Sequence, residues 1–324
     1  MYVNDTYRDI QRKNMLSINY LPHRRPEFHK LMFYFMGKIK PENKQKIKLN
    51  ILTTGENKQQ FSNPPKDIKA VTTCFSDDNN YMQKIEFATK QKETYSIKLD
   101  EDIFFSNYVW DFIIENMDKL DDAMFMSPIL STGVSFIDDY MARLFSDDER
   151  KAVEAEFLKV KFTISLGADY RPLNKHTIEA SEWKPKDYWQ TVKNEVKHAY
   201  KGVHPIRFSL EAHRLINEFT MNHLDEIFSY GDFEIESKDL VYFTNSFFAI
   251  RTDRWRTAID RKDLFVDEFD EVPVNRLMNE SGLPALVIKN GFAIHPFYNF
   301  VSKLMPRCET NFYNSIVQRV INNV

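Results

Sequence analysis

Glycine is scarce in this sequence, eight in 324 residues, and none are spaced as GxGxxG or as GxxxxGK[ST]. The two commonest loops that cradle phosphate on backbone N–H groups are therefore missing, which sets aside dinucleotide-dependent dehydrogenases and P-loop proteins. Cysteine is scarcer still: Cys74 and Cys308 stand far apart with no second cysteine near either. Neither a disulfide framework nor a cysteine zinc site is written in the chain, and a reducing, cytoplasmic compartment is the simple expectation. HExxH, CxxC and GxSxG are absent as well, which removes the signatures of zinc peptidases, thioredoxin-like proteins and hydrolase elbows. No apolar run reaches the roughly 18 residues that a membrane span needs. The first 25 residues mix charged and apolar side chains, so no secretion signal is expected either. A formal charge of −3 gives no overall attraction to nucleic acid or an anionic membrane, although a local patch can still supply one.

Apolar residues, at 43%, and aromatics, with 27 Phe and 15 Tyr, supply enough material for a core and for stacking surfaces. Short alternating or β-branched runs at 16–20, 47–54, 70–75, 95–99 and 123–130 read as strands, and the stretches at 26–36, 81–92 and 110–120 have helical spacing. Strands alternating with helices predict an α/β fold with a mostly parallel sheet flanked by helices. From about 138 to 235 long helical stretches, 149–160 and 209–228 among them, replace that alternation and read as a helical insertion. Strand character returns at 240–250 and 285–289, and a C-terminal helix closes the chain within 300–324. Residues 1–324 are expected to form one domain carrying that insertion.

The chemistry centres on Asp100-Glu101-Asp102, which follows directly on the strand YSIKL at 95–99. Two carboxylates one residue apart at a strand's C-terminal end can hold a hard cation against a nucleotide diphosphate, at the sheet edge where α/β proteins bind ligands. Acidic clusters are common on protein surfaces, and Asp121-Asp122, Asp138-Asp139 and Asp147-Asp148-Glu149 are read as solvated because none follows a strand with core alternation.

The segment YSIKLDEDI at 95–103 resembles the strand and DxD motif of GT-A glycosyltransferases, in particular the large inverting family that includes cellulose-synthase-like and rhamnosyl enzymes. Further stretches agree in order: SINYLPHRRPE at 17–27 resembles that family's first strand and nucleoside-gripping turn, NSFFAIRTDRW at 245–255 its acceptor-side hairpin, and DEFDEVPVNRL at 267–277 its general-base segment. The resemblance covers about 15–130 and 238–300. It departs from the family at Thr53-Thr54, where an acidic residue is usual, and near Asn80, where a glycine is.

The resemblance implies a Rossmann-like GT-A fold and a metal-dependent transfer of a sugar from a nucleotide-sugar, with a UDP-sugar the first donor to expect. It implies that Asp102 ligates Mn²⁺ or Mg²⁺ and that Asp100 touches the ribose or the metal's water shell. His295 would complete the metal site, which favours Mn²⁺ because imidazole suits it better than Mg²⁺; the other reading is a structural histidine beside Pro296. An inverting transfer needs a carboxylate to take the acceptor's proton, and Asp270 or Glu271 stands where the family has it; such a cluster can also be capping charge at a helix start. Tyr20 is a candidate for stacking on the base, Arg24, Arg25 and Lys84 for the phosphates, and Asp78, with Asp77, for the base's imide. Arg251 and Trp255 fall on the acceptor side.

The acceptor has two readings. Residues 183–208 interleave Lys184, Lys186, Lys193, Lys197, Lys201 and Arg207 with Trp183, Tyr188, Trp189 and Tyr200. That pattern suits phosphates and bases, as in a phage-type enzyme that glycosylates hydroxymethylated bases of DNA. It equally suits an amphipathic helix or a glycan stacked on aromatic rings. A reading of another class is a protein that binds a nucleotide-sugar or glycan without turning it over.

Overall fold

A computed structural model describes residues 15–22, 28–55, 61, 64–76, 81–132, 136–157, 159, 161–166, 174–179, 209–238, 240, 243, 246–261, 271–296 and 305–322. The first five strands are β1 (Leu16–Leu21), β2 (Ile47–Thr54), β3 (Lys69–Phe75), β4 (Tyr95–Asp100) and β5 (Phe125–Leu130). Helices α1 (His29–Gly37) and α2 (Pro41–Lys44) connect β1 to β2, α3 (Tyr81–Thr89) leads into β4, and α4 (Asn107–Glu115) leaves it. Strands β1, β2, β4 and β5 are buried along nearly their whole length, as strands covered on both faces must be. The edge strand β3 stays largely half-covered. Helix α4 starts where Ser106 accepts a hydrogen bond from the Val109 N–H at 3.3 Å. It stops at Glu115, and a 3₁₀ turn over Met117–Asp122 replaces its expected continuation.

The insertion opens with α5 (Ile137–Leu144) and α6 (Asp147–Phe157). It is not wholly helical. Strands β6 (Lys161–Leu166) and β7 (Asn174–Glu179) form an antiparallel hairpin, because Phe162, Ile164 and Leu166 alternate with Lys161, Thr163 and Ser165, a period of two that no helix has. Helices α7 (Leu210–Asn222) and α8 (Leu224–Ser229) follow, divided at His223 where one helix was expected. Strand β8 (Glu234–Lys238) already belongs to the central sheet, so sheet structure resumes inside the expected insertion boundary. The chain ends with β9 (Phe247–Arg251), α9 (Thr252–Ile259), α10 (Glu271–Ser281), β10 (Ala285–Ala293) and α11 (Met305–Val320).

The eight-stranded sheet has the order β3-β2-β1-β4-β9-β5-β10-β8. Its β1–β2, β1–β4, β2–β3 and β5–β10 pairs are parallel, while β9 runs against β4 and β5, and β8 against β10. The fold is thus α/β with a mostly parallel sheet flanked by helices, as the alternation of elements implies. On one face Tyr20 meets Phe33 of α1; on the other Ser96 bonds Thr252 of α9 at 2.8 Å. Helix α11 lays Tyr313 against Phe28, with ring centroids 4.1 Å apart, and against Phe104 just beyond the acidic triplet.

Candidate active site

Strand order reverses between β1 and β4. From β1 the chain passes outward to β2 and β3, then returns to place β4 on the other side of β1. In an open α/β sheet the loops at such a switch point diverge and leave a crevice outside the carboxyl ends of the strands. Leu21 of β1 and Asp100 of β4 are register partners at that end. The triplet therefore stands at the mouth of the crevice, with Glu101 and Asp102 in the turn that ends β4. The Asp100 N–H donates to the Ser246 carbonyl at 3.0 Å, and Phe104 bridges Ile294 through bonds of 3.1 and 2.9 Å.

That bridge draws the end of β10 to the triplet. Strand β10 carries a bulge: Ile288 pairs with Pro128 and Phe292 with Ile129, leaving residues 289–291 out of the ladder with β5. Asn290 has φ 62°, a left-handed conformation that asparagine tolerates better than most residues. Beyond the bulge, Ser131 N–H donates to the Ala293 carbonyl at 2.9 Å and the His295 N–H donates to Ser131 Oγ at 3.0 Å.

His295 is buried with its imidazole between Thr132 and Asp102. Thr132 Oγ1 donates to the His295 carbonyl at 2.7 Å and lies 3.0 Å from His295 Nδ1. The same carbonyl also accepts from Ser131 Oγ at 3.3 Å, and a hydroxyl has one proton, so Thr132 is placed to bond either the carbonyl or Nδ1. On the other side of the ring, Nε2 stands 3.5 Å from Asp102 Oδ1. Atoms bound to one divalent ion at about 2.0–2.2 Å stand roughly 3–3.5 Å apart, and a ligating histidine characteristically donates its other N–H to an oxygen. The Asp102 and His295 donors therefore fit a divalent cation. Asp100 is engaged elsewhere, its Oδ1 accepting from Lys98 Nζ at 2.7 Å. Among the described residues no group of three or more His, Cys, Asp or Glu side chains is placed to hold an ion. Two protein ligands completed by water and substrate phosphates is the pattern of nucleotide-bound Mg²⁺ sites.

Lys84 of α3 is buried, and its Nζ donates to the Pro22 carbonyl at 3.4 Å, next to the end of β1. Lys98 Nζ stands 5.7 Å from the Tyr81 ring, so the first turn of α3 lies over the Lys98–Asp100 pair.

Other expected site residues are not brought here. Tyr20 is wholly buried, with Phe33 and Phe61 6.4 and 6.1 Å from its ring; it is a core residue with no face open to a base. Arg251 is register partner to Tyr95 at the opposite end of β4 and pairs with Asp121 at 2.6 Å and Asp253 at 2.8 Å. Trp255 is wholly buried against Phe248. Because β9 runs against β4, its beginning faces the crevice while its end, with Arg251 and Trp255, lies at the far edge. Arg24, Arg25, Asp77, Asp78 and Asp270 lie outside the described residues, as does the 183–208 segment, and of Glu271 only its place at the start of α10 is described. Ser131, Thr132 and Lys98 were not expected. Lys98 had a signal, a lysine between Ile97 and Leu99 in the strand that leads into the triplet; Thr132 had none.

No protein-family model and no curated protein sequence matches the chain. Among solved structures 135 chains match. One is CMP:2-keto-3-deoxy-manno-octonic acid synthetase complexed with CTP, 10% identical over 94% of this chain and 100% of that one, with a TM-score of 0.42. Another is GalNAc-T7 with UDP, GalNAc and Mn²⁺, 8% identical over 87% of this chain and 43% of that one, with a TM-score of 0.44. Neither likeness assigns an activity to this chain. No helix among the described residues is long and apolar enough to cross a membrane.

Proposed function

We propose that this protein is a metal-dependent glycosyltransferase that moves a sugar from a nucleotide-sugar to a hydroxyl acceptor with inversion. The observation that carries the reading is the Asp102 Oδ1 and His295 Nε2 pair, 3.5 Å apart at the β1/β4 switch point, a spacing that suits two ligands of one cation. Bound there, Mn²⁺ or Mg²⁺ supplies the positive charge that lets the nucleoside diphosphate leave; the imidazole favours Mn²⁺. In this reading Asp100 accepts hydrogen bonds from the nucleotide's hydroxyls, and Lys84 neutralises phosphate. Asp270 or Glu271 removes the proton of the acceptor hydroxyl as it attacks the anomeric carbon from the face opposite the diphosphate.

The test is nucleoside diphosphate release from a panel of nucleotide-sugars, UDP-sugars first, with Mn²⁺ and with EDTA, each with and without DNA containing hydroxymethylated bases. Release that requires the metal supports the reading. A further rise with the DNA identifies a nucleic-acid acceptor, and its absence directs the search to glycans. No release from any donor that nevertheless binds leaves a non-catalytic nucleotide-sugar-binding protein.

A further inference from the structure

Lys98 is the most deeply buried ammonium among the described residues, its side chain 0% exposed in the middle of β4 between β1 and β9. Burying a cation is costly unless an anion answers it. Alternation along a strand places residues i and i+2 on one face, so the Lys98 stem runs along the sheet toward the crevice and meets Asp100 Oδ1 at 2.7 Å. The triplet's other aspartate has a different partner: Asp102 Oδ1 stands 3.5 Å from His295 Nε2. One carboxylate is paired with a buried ammonium, and the other stands beside an imidazole.

We propose that Lys98 is a positioning residue that divides the triplet's labour. It holds Asp100 as a hydrogen-bond acceptor for the nucleotide and keeps it from ligating the ion, which Asp102 and His295 hold with the donor's phosphates. The free site thereby has one negative charge fewer, and the ion is recruited together with the nucleotide instead of ahead of it. The inference rests on the glycosyltransferase reading above.

The test is titration of Mn²⁺ into the full-length protein, followed by the electron paramagnetic resonance signal of the free aqua ion, with and without UDP, GDP or dTDP. Lys98→Met frees Asp100 to join the ion, so Mn²⁺ binding without nucleotide tightens by about tenfold, within the range that outer-shell changes produce. Lys98→Arg preserves the wild-type value. In the Asp100→Asn background Lys98→Met has no further effect on Mn²⁺ binding measured without nucleotide, whereas Asp102→Asn loses the ion. Lys98→Met that matches wild type while Asp102→Asn loses the ion overturns the assignment and leaves the metal site standing. If Lys98→Met does not fold, Asp100→Asn decides: loss of Mn²⁺ as severe as in Asp102→Asn makes Asp100 a ligand and overturns it. Wild-type protein that takes up no Mn²⁺ with any nucleotide overturns both readings together.

Discussion

Single atoms decide the chemistry at the residue scale. Thr132 Oγ1 lies 2.7 Å from the His295 carbonyl and 3.0 Å from Nδ1, so a residue outside the proposed ligand pair holds the imidazole in its orientation. Thr132→Val keeps the shape and removes the hydroxyl. The expected outcome is Mn²⁺ affinity about 10–100-fold weaker with an unfolding midpoint close to wild type, read by metal titration and calorimetry. Asp100, Asp102 and His295 could be singled out as candidates because acidic spacing and a histidine before a proline survive as strings of letters. It could not show that Arg251 and Trp255 leave the crevice, since that depends on β9 running against β4. Nor could it show that Tyr20 is core, because a strand-end aromatic looks the same whether it stacks on a base or on Phe33 and Phe61.

At the scale of elements, legibility followed periodicity. Strands β1, β2, β4 and β5 fell close to their expected bounds because apolar runs bounded by turns are local signals. The β6–β7 hairpin was missed inside a stretch dominated by helical spacing. The division of α7 from α8 at His223 has no glycine or proline to announce it. Helix α6 does have a readable start: the Glu149 N–H donates to Ser146 Oγ at 3.3 Å, while Glu149 Oε2 accepts from the Ser146 N–H at 2.9 Å. This is a capping box. His223 adds a bond to Glu149 at 3.2 Å. Burial pushes the Glu149 carboxyl up, but the bonds from Ser146 and His223 outweigh it and hold the group below its ordinary value. A depressed folded pKa contributes stability that is present above the unfolded value, about 4.3, and is lost as pH falls through the folded one. Glu149→Gln is therefore expected to be less stable than wild type near neutrality, with the difference shrinking below about pH 4, as measured by urea unfolding across pH.

The β10 bulge belongs to the same scale. A Cβ on Gly291 would stand 2.6 Å from Ile288 Cγ2 and 3.3 Å from the Ile288 carbonyl oxygen, and a β-branched side chain has little freedom to withdraw. Gly291→Ala should cost about 1–3 kcal/mol and, because His295 lies just beyond, weaken Mn²⁺ binding as well. Calorimetry and metal titration on the same sample check both. Register adds a parity argument. Ile288 and Phe292 pair with the adjacent residues Pro128 and Ile129, so an odd number of extra residues reverses which face the rest of the strand presents.

For the whole molecule, the crevice joins the ends of β1 and β4 to the end of β10, so ligands bound there tie together strands far apart in sequence. Mn²⁺ with the cognate nucleoside diphosphate at about 100 times its dissociation constant should stabilise the fold by roughly 2.7 kcal/mol, a rise of several degrees in the unfolding midpoint by calorimetry. Mn²⁺ alone should give the smaller part of that rise.

The place of β9 matters before the protein is finished. It fills the slot between β4 and β5 but is encoded after the insertion, with β5 ending at Leu130 and β9 at Arg251. On the ribosome the early strands emerge with the flanks of β4 and β5 unfilled, and open strand flanks are templates for wrong partners. At about 5–20 residues per second the missing strand arrives roughly 6–24 seconds later. The burden of producing this protein therefore falls on that interval, in which a nascent sheet waits for its middle strand.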